Sequence, residues 1–282
     1  MDNKSILITG CSTGIGLCVA EGLKKRGYRV FASARNPDDV KKLLDDGFDD
    51  ALQLDLDDSV SIRNAVHTVL SKTGGTLYAL FNNGAYSQAG AVEDLNREVL
   101  RANFETNVFG THELTALIIP AMRKQGYGRI IQNSSVLGFV SLPYRGSYNA
   151  SKHALEGLTD AMRLELRNTN IKVSLVEPGP IISRFRANAM AAYKRNIDKE
   201  NSAHREIYDA MERRLTKEGP AAPFTLPPEA VLKKVIHALE SPKPKVRYYV
   251  TFPTYLFGTL KRLLSHRWMD KVLAKVSSGE QK

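Results

Sequence analysis

Short apolar runs alternate with stretches of helical spacing along the first two thirds of the chain. Buried-strand patterns fall at residues 5–9, 29–33, 78–81, 129–134 and 172–176, with a shorter one ending at Asp55. Between them, apolar residues recur at helical intervals over 15–26, 38–46, 60–71 and 147–167. Residues 95–124 are long enough for two helices or one bent helix, with Pro120 inside. Strands alternating with helices predict a parallel sheet covered on both faces, and right-handed crossovers make it doubly wound. After residue 183 the pattern changes. A charged helical stretch runs over 184–217, a proline-rich segment over 219–230 restarts a helix near Pro228, and a β-rich run follows at 246–251. The last part, 255–276, spaces Leu256, Leu260, Leu263, Met269, Leu273 and Val276 amphipathically, with Lys and Arg interleaved.

The length of 282 residues and an apolar share of 43% suit one large domain with a sizeable core, so 1–282 is expected to form a single unit. Within it, 1–183 reads as nucleotide-binding and catalytic core, 184–218 as a substrate-covering segment and 219–282 as a C-terminal extension. No run approaches the ~18 apolar residues of a membrane span, and the chain opens MDNKSILITG without an apolar signal region. Cys11 and Cys18 form no metal spacing and read as reduced thiols, so a cytoplasmic protein without a bound metal is expected. Residues 1–183 hold 20 Lys+Arg and 20 Asp+Glu, leaving 20 against 10 for the last third, which therefore carries the whole net charge of +10. An anionic substrate, a membrane surface or nucleic acid could each match that charge. Nucleic acid is disfavoured because the cations are scattered among Leu and acids rather than gathered with aromatics. Packing on its own domain or on a partner subunit is favoured over peripheral membrane contact for the basic tail.

Candidate chemistry enters at the strand ends. Gly10, Gly14 and Gly16 lie between the first strand and first helix, where a tight turn and a helix N-terminus suit a pyrophosphate. At the end of the second strand, where NAD-binding domains place an acid, this chain has Ala34 and Arg35. An Arg suits a 2′-phosphate and points to NADP(H). Asp55 could receive adenine or cap the following helix. Asn82, Asn83, Gly84 and Ala85 end the fourth strand, where small residues let a flat ring approach. Tyr148 and Lys152, at i and i+4, share a helix face, where an ammonium favours the phenolate and equips the Tyr for proton transfer to or from an alcohol.

With those residues in place the chain resembles the classical short-chain dehydrogenase/reductase family, over about 4–183 and more loosely beyond. Thr9–Gly16 fits its TGxxxGxG, bringing Ser12, Thr13 and Ile15 into the cofactor set. NVFGT puts Asn107 at the catalytic Asn, and Ser135 stands thirteen residues before Tyr148, the usual separation. EPGPIIS matches the segment near the nicotinamide, with Pro178, Gly179, Ile181 and Ser183, and Asp55 with Leu56 falls beside the adenine. NNGA replaces the family's NNAG. ITGCSTGIG, VFASARNPDD and EPGPIISRF are similar to NADP-dependent aldehyde, retinol and hydroxysteroid reductases. The resemblance implies a single-domain Rossmann fold of about seven parallel strands with a helical C-terminal extension. It implies NADPH-dependent reduction of an aldehyde or ketone, or the reverse, on a medium or large apolar substrate. Tyr148 would act as acid, Ser135 would bind the oxygen, Lys152 would tune the Tyr and hold the ribose, and Asn107 would anchor a water. A homodimer or homotetramer through 111–124 and 147–167 is implied as well. The alternatives are a catalytically silent NADP(H)-sensing regulator and a ketoacyl-thioester reductase.

Overall fold

The computed structural model describes residues 4–278. β1 (Ser5–Ile8), α1 (Gly14–Lys25), β2 (Arg29–Ala34), α2 (Pro37–Asp45), β3 (Leu52–Gln53), α3 (Ser59–Lys72) and β4 (Ala79–Asn82) form the first half. The second half follows with α4 (Arg97–Phe104), α5 (Thr111–Gln125), β5 (Gly128–Asn133), α6 (Gly146–Glu165) and β6 (Ile171–Glu177). Beyond the sixth strand come α7 (Phe185–Asn196), α8 (Arg205–Thr216), α9 (Glu229–Glu240), β7 (Arg247–Tyr249), α10 (Phe252–Leu263) and α11 (His266–Ser278). The seven strands are parallel in the order β3-β2-β1-β4-β5-β6-β7. The order reverses between β1 and β4, so the crevice at their carboxyl ends is the expected ligand site of an open α/β sheet.

Successive strand residues face opposite layers, which explains the unbroken apolar runs. Ile6 and Ile8 pack with Val19 and Leu23 of α1 and Val231 and Val235 of α9. Leu7 points the other way, into Ile62 and Val69 of α3 and Leu114 and Ile118 of α5. α9 and β7 therefore belong to the sheet layers, although a proline-rich connection and the α7–α8 hairpin separate them in sequence from β6.

The long 95–124 segment is two helices joined by a π-helical turn at Glu105–Gly110. Pro120 lies inside α5 on an exposed face, where water can take the carbonyl its missing N–H leaves. The charged 184–217 stretch is also two helices. α7 and α8 bury Met190, Tyr193, Tyr208 and Met211 against Ala91, Leu95 and Val99 of the loop after β4 and α4. The amphipathic tail is the α10–α11 pair, whose Phe257, Met269 and Leu273 cluster with Leu137, Val140 and Tyr148. No helix among the described residues is long and apolar enough to cross a membrane.

Candidate active site

The glycine turn leaves β1 with Gly10 at φ 71° and Gly14 at φ 63°, backbone that L side chains rarely adopt. Gly16, the first buried position of α1, approaches so closely that an added Cβ would lie 2.1 Å from the Gly10 carbonyl oxygen. Thr13 stands at the helix N-cap with no side-chain bond to the first turn, so the N–H groups there are open to an anion. Ser12, Thr13, Gly14 and Ile15 are half-buried along this rim. Cys11, beside it, is an inert core thiol, buried and pushed up to about 12 by that burial.

Arg35 follows β2 directly and is exposed, with its carbonyl held by Gln53 Nε2 at 3.1 Å. The acids after it are helix-start residues. Asn36 caps α2 by accepting from the Asp38 amide at 3.0 Å, and Asp38 and Asp39 occupy the first turn. Asp55 does not cap α3. That position belongs to Asp58, which accepts from the Val60 amide at 2.8 Å, while Asp55 turns back to accept from Asp57 N at 3.1 Å. Leu56 is buried against Gly84. NNGA folds without strain at Ala85, which keeps a negative φ, and Asn83 and Gly84 both donate their amides to Thr9 Oγ1 at 2.8 Å.

A chain of hydrogen bonds runs from this turn to α6. Asn83 Nδ2 donates to the carbonyls of Thr9 (2.9 Å) and Gly10 (3.2 Å). Asn133 Nδ2 donates to Asn83 Oδ1 at 2.9 Å, and the Asn133 carbonyl accepts from Lys152 Nζ at 2.7 Å. Sequence reasoning missed Asn133. Its only signal is its place as the last residue of β5, two before Ser135.

Tyr148 and Lys152 lie on the buried first half of α6, one turn apart, with Lys152 Nζ 5.7 Å from the Tyr148 ring centre. Ser135 Oγ accepts from the Leu137 amide at 3.1 Å and hydrogen-bonds the Tyr148 phenol. Ser134 is turned away, its hydroxyl donating to Glu156 Oε1 at 2.7 Å, so of the two adjacent serines Ser135 faces the Tyr. Burial pushes the Tyr148 phenol well above its usual range, partly offset by Ser135. Burial also lowers Lys152 to about 8, against a smaller opposing pull from Glu156. The phenol is thus held in its proton-bearing form.

Asn107 sits in the π turn, a feature common at functional sites. Its Nδ2 donates to Tyr86 O (2.9 Å) and Ser151 Oγ (3.0 Å), and its Oδ1 accepts from Tyr86 N at 3.1 Å. The side-chain amide is therefore committed to protein partners.

After β6, buried Pro178 accepts from the Val136 amide at 2.8 Å, tying this segment to the Ser135 turn. Gly179 passes so near Thr251 that a Cβ would meet its Oγ1 at 2.1 Å. Ile181 bridges to Leu226, and Ser183 lies over Gly14 and receives the Phe185 amide at 3.3 Å. Phe185 meets the Tyr148 ring edge-on at 5.4 Å between centres. The α7–α8 hairpin is anchored by Tyr208, whose hydroxyl accepts from Ala91 N at 2.9 Å and donates to Asp94, and by Asn196 donating to Gln88 Oε1 at 2.7 Å. Beneath it a cavity of about 40 Å³ is lined by Ser87, Ala89, Tyr144, Ala189, Met211 and Leu215 among others.

A seven-stranded parallel sheet with a glycine turn at its switch point has the architecture of a Rossmann-type dinucleotide-binding domain. The short chain dehydrogenase family profile matches residues 4–194, and the chain belongs to that family. It is 45% identical over 270 residues to the Escherichia coli oxidoreductase YbbO, covering 96% of this chain and 94% of that one. It is 31% identical to an NADPH-dependent 3-dehydrocapnine reductase of Ornithobacterium rhinotracheale, covering 95% of both. Among solved structures, a variant actinorhodin polyketide ketoreductase with NADPH superposes with a TM-score of 0.73 at 28% identity, over 88% of this chain and 96% of that one.

Proposed function

We propose that the protein is an NADPH-dependent reductase of aldehydes or ketones with a medium or large apolar body. The convergence of Ser135, Tyr148 and Lys152 at the mouth of the nucleotide crevice carries this reading. Gly10, Ser12, Thr13, Gly14, Ile15 and Gly16 would hold the pyrophosphate, and Asp55, Leu56, Asn83 and Gly84 the adenosine side. Pro178, Gly179, Ile181 and Ser183 would hold the nicotinamide side. Arg35, exposed with no acid taking its place at the strand end, fits a 2′-phosphate better than a free ribose hydroxyl. The chain's similarity to a reductase described as NADPH-dependent supports the same choice. When bound, the reduced nucleotide supplies the hydride for the carbonyl carbon.

The protein's own groups manage the oxygen. Tyr148 gives its proton to it, and the raised pKa that burial imposes keeps that proton available at neutral pH. Ser135 accepts from Leu137 N, and its O–H, directed at the Tyr148 phenol without substrate, turns to the developing alkoxide when the carbonyl oxygen sits between the two hydroxyls. Lys152, cationic below about 8 and fixed on Asn133 O, stabilises the phenolate left behind and reaches the ribose hydroxyls. Asn107, its amide committed to Tyr86 and Ser151, ties the loop after β4 to α6 beside Lys152. Phe185 and the α10–α11 cluster around Tyr148 give the cleft apolar walls, which favours apolar carbonyls. The test is NADPH oxidation, followed by absorbance, against aldehydes and ketones of increasing chain length with NADH in parallel. Turnover with NADPH and a preference for the longer apolar members supports the reading. NADPH binding without turnover of any carbonyl would favour a sensing role.

A further inference from the structure

α10 has two apolar faces. One packs inward, with Phe257 and Leu260 in the cluster that covers Tyr148. On the other, Phe252, Tyr255, Leu256, Thr259 and Leu263 fall at i, i+3, i+4, i+7 and i+11, a single stripe along the helix. The stripe faces solvent, with Leu263 75% and Phe252 55% exposed. Phe224, itself exposed, packs its ring on Phe252 at 4.8 Å between centres and widens the patch. Trp268, on the next helix, is 60% exposed and carries Lys271 Nζ 4.4 Å above its ring. Scattered exposed leucines need no explanation, but a contiguous aromatic and aliphatic patch on one helix face marks a contact surface.

We infer that this face of α10 and α11 rests on an anionic lipid surface. The charge of the two helices selects that occupant. Across 252–278, Arg262, Arg267, Lys271 and Lys275 stand against a single acid, Asp270, while Lys261 turns back to donate to the Phe139 carbonyl. Two copies of the chain meeting through this face would bring the same cations together, whereas anionic headgroups complement them and the stripe enters the acyl boundary. A tryptophan with a lysine over it suits the interface, one end apolar and the other wet. The opposite face of the same helix lines the cleft. If the carbonyl-reductase reading holds, an apolar substrate could therefore pass from the lipid to Tyr148 along α10.

Trp268 is the only tryptophan of the chain, so its fluorescence reports this contact without any turnover. The full chain is titrated with phosphatidylglycerol–phosphatidylcholine vesicles and with phosphatidylcholine vesicles, and its mass is measured by sedimentation without lipid. A blue shift with the anionic vesicles, at least about tenfold tighter than with neutral ones and weakened by salt, is expected. Leu263→Glu, which leaves the reporter in place and adds an exposed charge, should weaken that binding about tenfold or more. NADPH binding should stay unchanged, which separates this result from a failure of the proposed activity. No shift with anionic vesicles at low salt would overturn the inference. So would a lipid-free dimer that Leu263→Glu converts to monomer, because a second copy would then cover the face.

Discussion

Replacing Arg247 by methionine should cost stability out of proportion to the exposure of the residue. Arg247 reaches from β7 to three carboxylates, Glu156 at 2.5 Å, Asp160 at 2.7 Å and Glu177. The first and last are 5% and 0% exposed. Methionine fills much of the volume but leaves two buried carboxylates facing each other. Breaking a buried pair by removing one partner costs about 3–5 kcal/mol. The Asp160 contact, with that side chain 38% exposed, adds at most about 1 kcal/mol. The loss should depend on pH. Burial, and then the nearby Glu156, already push Glu177 up to about 8. Its folded form keeps a proton that the unfolded chain releases above ~4.5, so this contribution is present at low pH and lost as pH rises through the folded pKa. Without the guanidinium, which holds it down, the Glu177 carboxyl shifts further up. The cost of Arg247→Met should then be smaller near about pH 5.5 than near about pH 8.5. Urea unfolding at the two pH values, with unchanged m, measures it. Adding Glu177→Gln should recover part of the loss. A cost below about 1 kcal/mol, or one that does not vary with pH, would refute the reasoning.

Other consequences can be checked separately. Arg35→Ala should weaken NADPH binding by about 1.5–3 kcal/mol, roughly tenfold to 150-fold in Kd, and leave NADH nearly untouched. Equal losses for both cofactors in a titration would remove the 2′-phosphate from the picture. Gly16→Ala forces a Cβ to 2.1 Å from the Gly10 carbonyl and should destabilise by about 1–3 kcal/mol or more while abolishing nucleotide binding; a thermal melt and a cofactor titration read the two effects. Carbonyl reduction should be supported below about 8 and fall as pH rises through that value, where Lys152 loses its proton. A kcat/KM profile that climbs across the same range contradicts the role given to the ammonium.

Much of this arrangement is legible in the chain because its signals are local. Buried parallel strands read as apolar runs, the glycine turn stands where strand meets helix, and Tyr148 and Lys152 are a helical turn apart. What stayed hidden depends on distant partners. Asp55 and Asp58 are equally plausible caps in sequence, and only the turn of the chain after β3 gives the cap to Asp58. Arg247 pairs with residues 91 and 70 positions away, and no periodicity announces such a network. Asn133 matters through an amide on Asn83, 50 positions away, and a carbonyl, which every residue has. The tail showed its amphipathic spacing, but not that α10 turns one apolar face to Tyr148 and another to solvent. Lys152 is likewise poised differently from the isolated Tyr–Lys pair: its ammonium goes to Asn133, and burial dominates the phenol.

The most direct measurement is NADPH oxidation by Tyr148→Phe, with NADPH affinity determined on the same protein. Removing the phenolic oxygen takes away the positioned acid but keeps the ring against Phe185. Turnover should fall by about two to four orders of magnitude with NADPH affinity within a few-fold of wild type. Turnover near wild type would contradict the assignment of the proton to Tyr148.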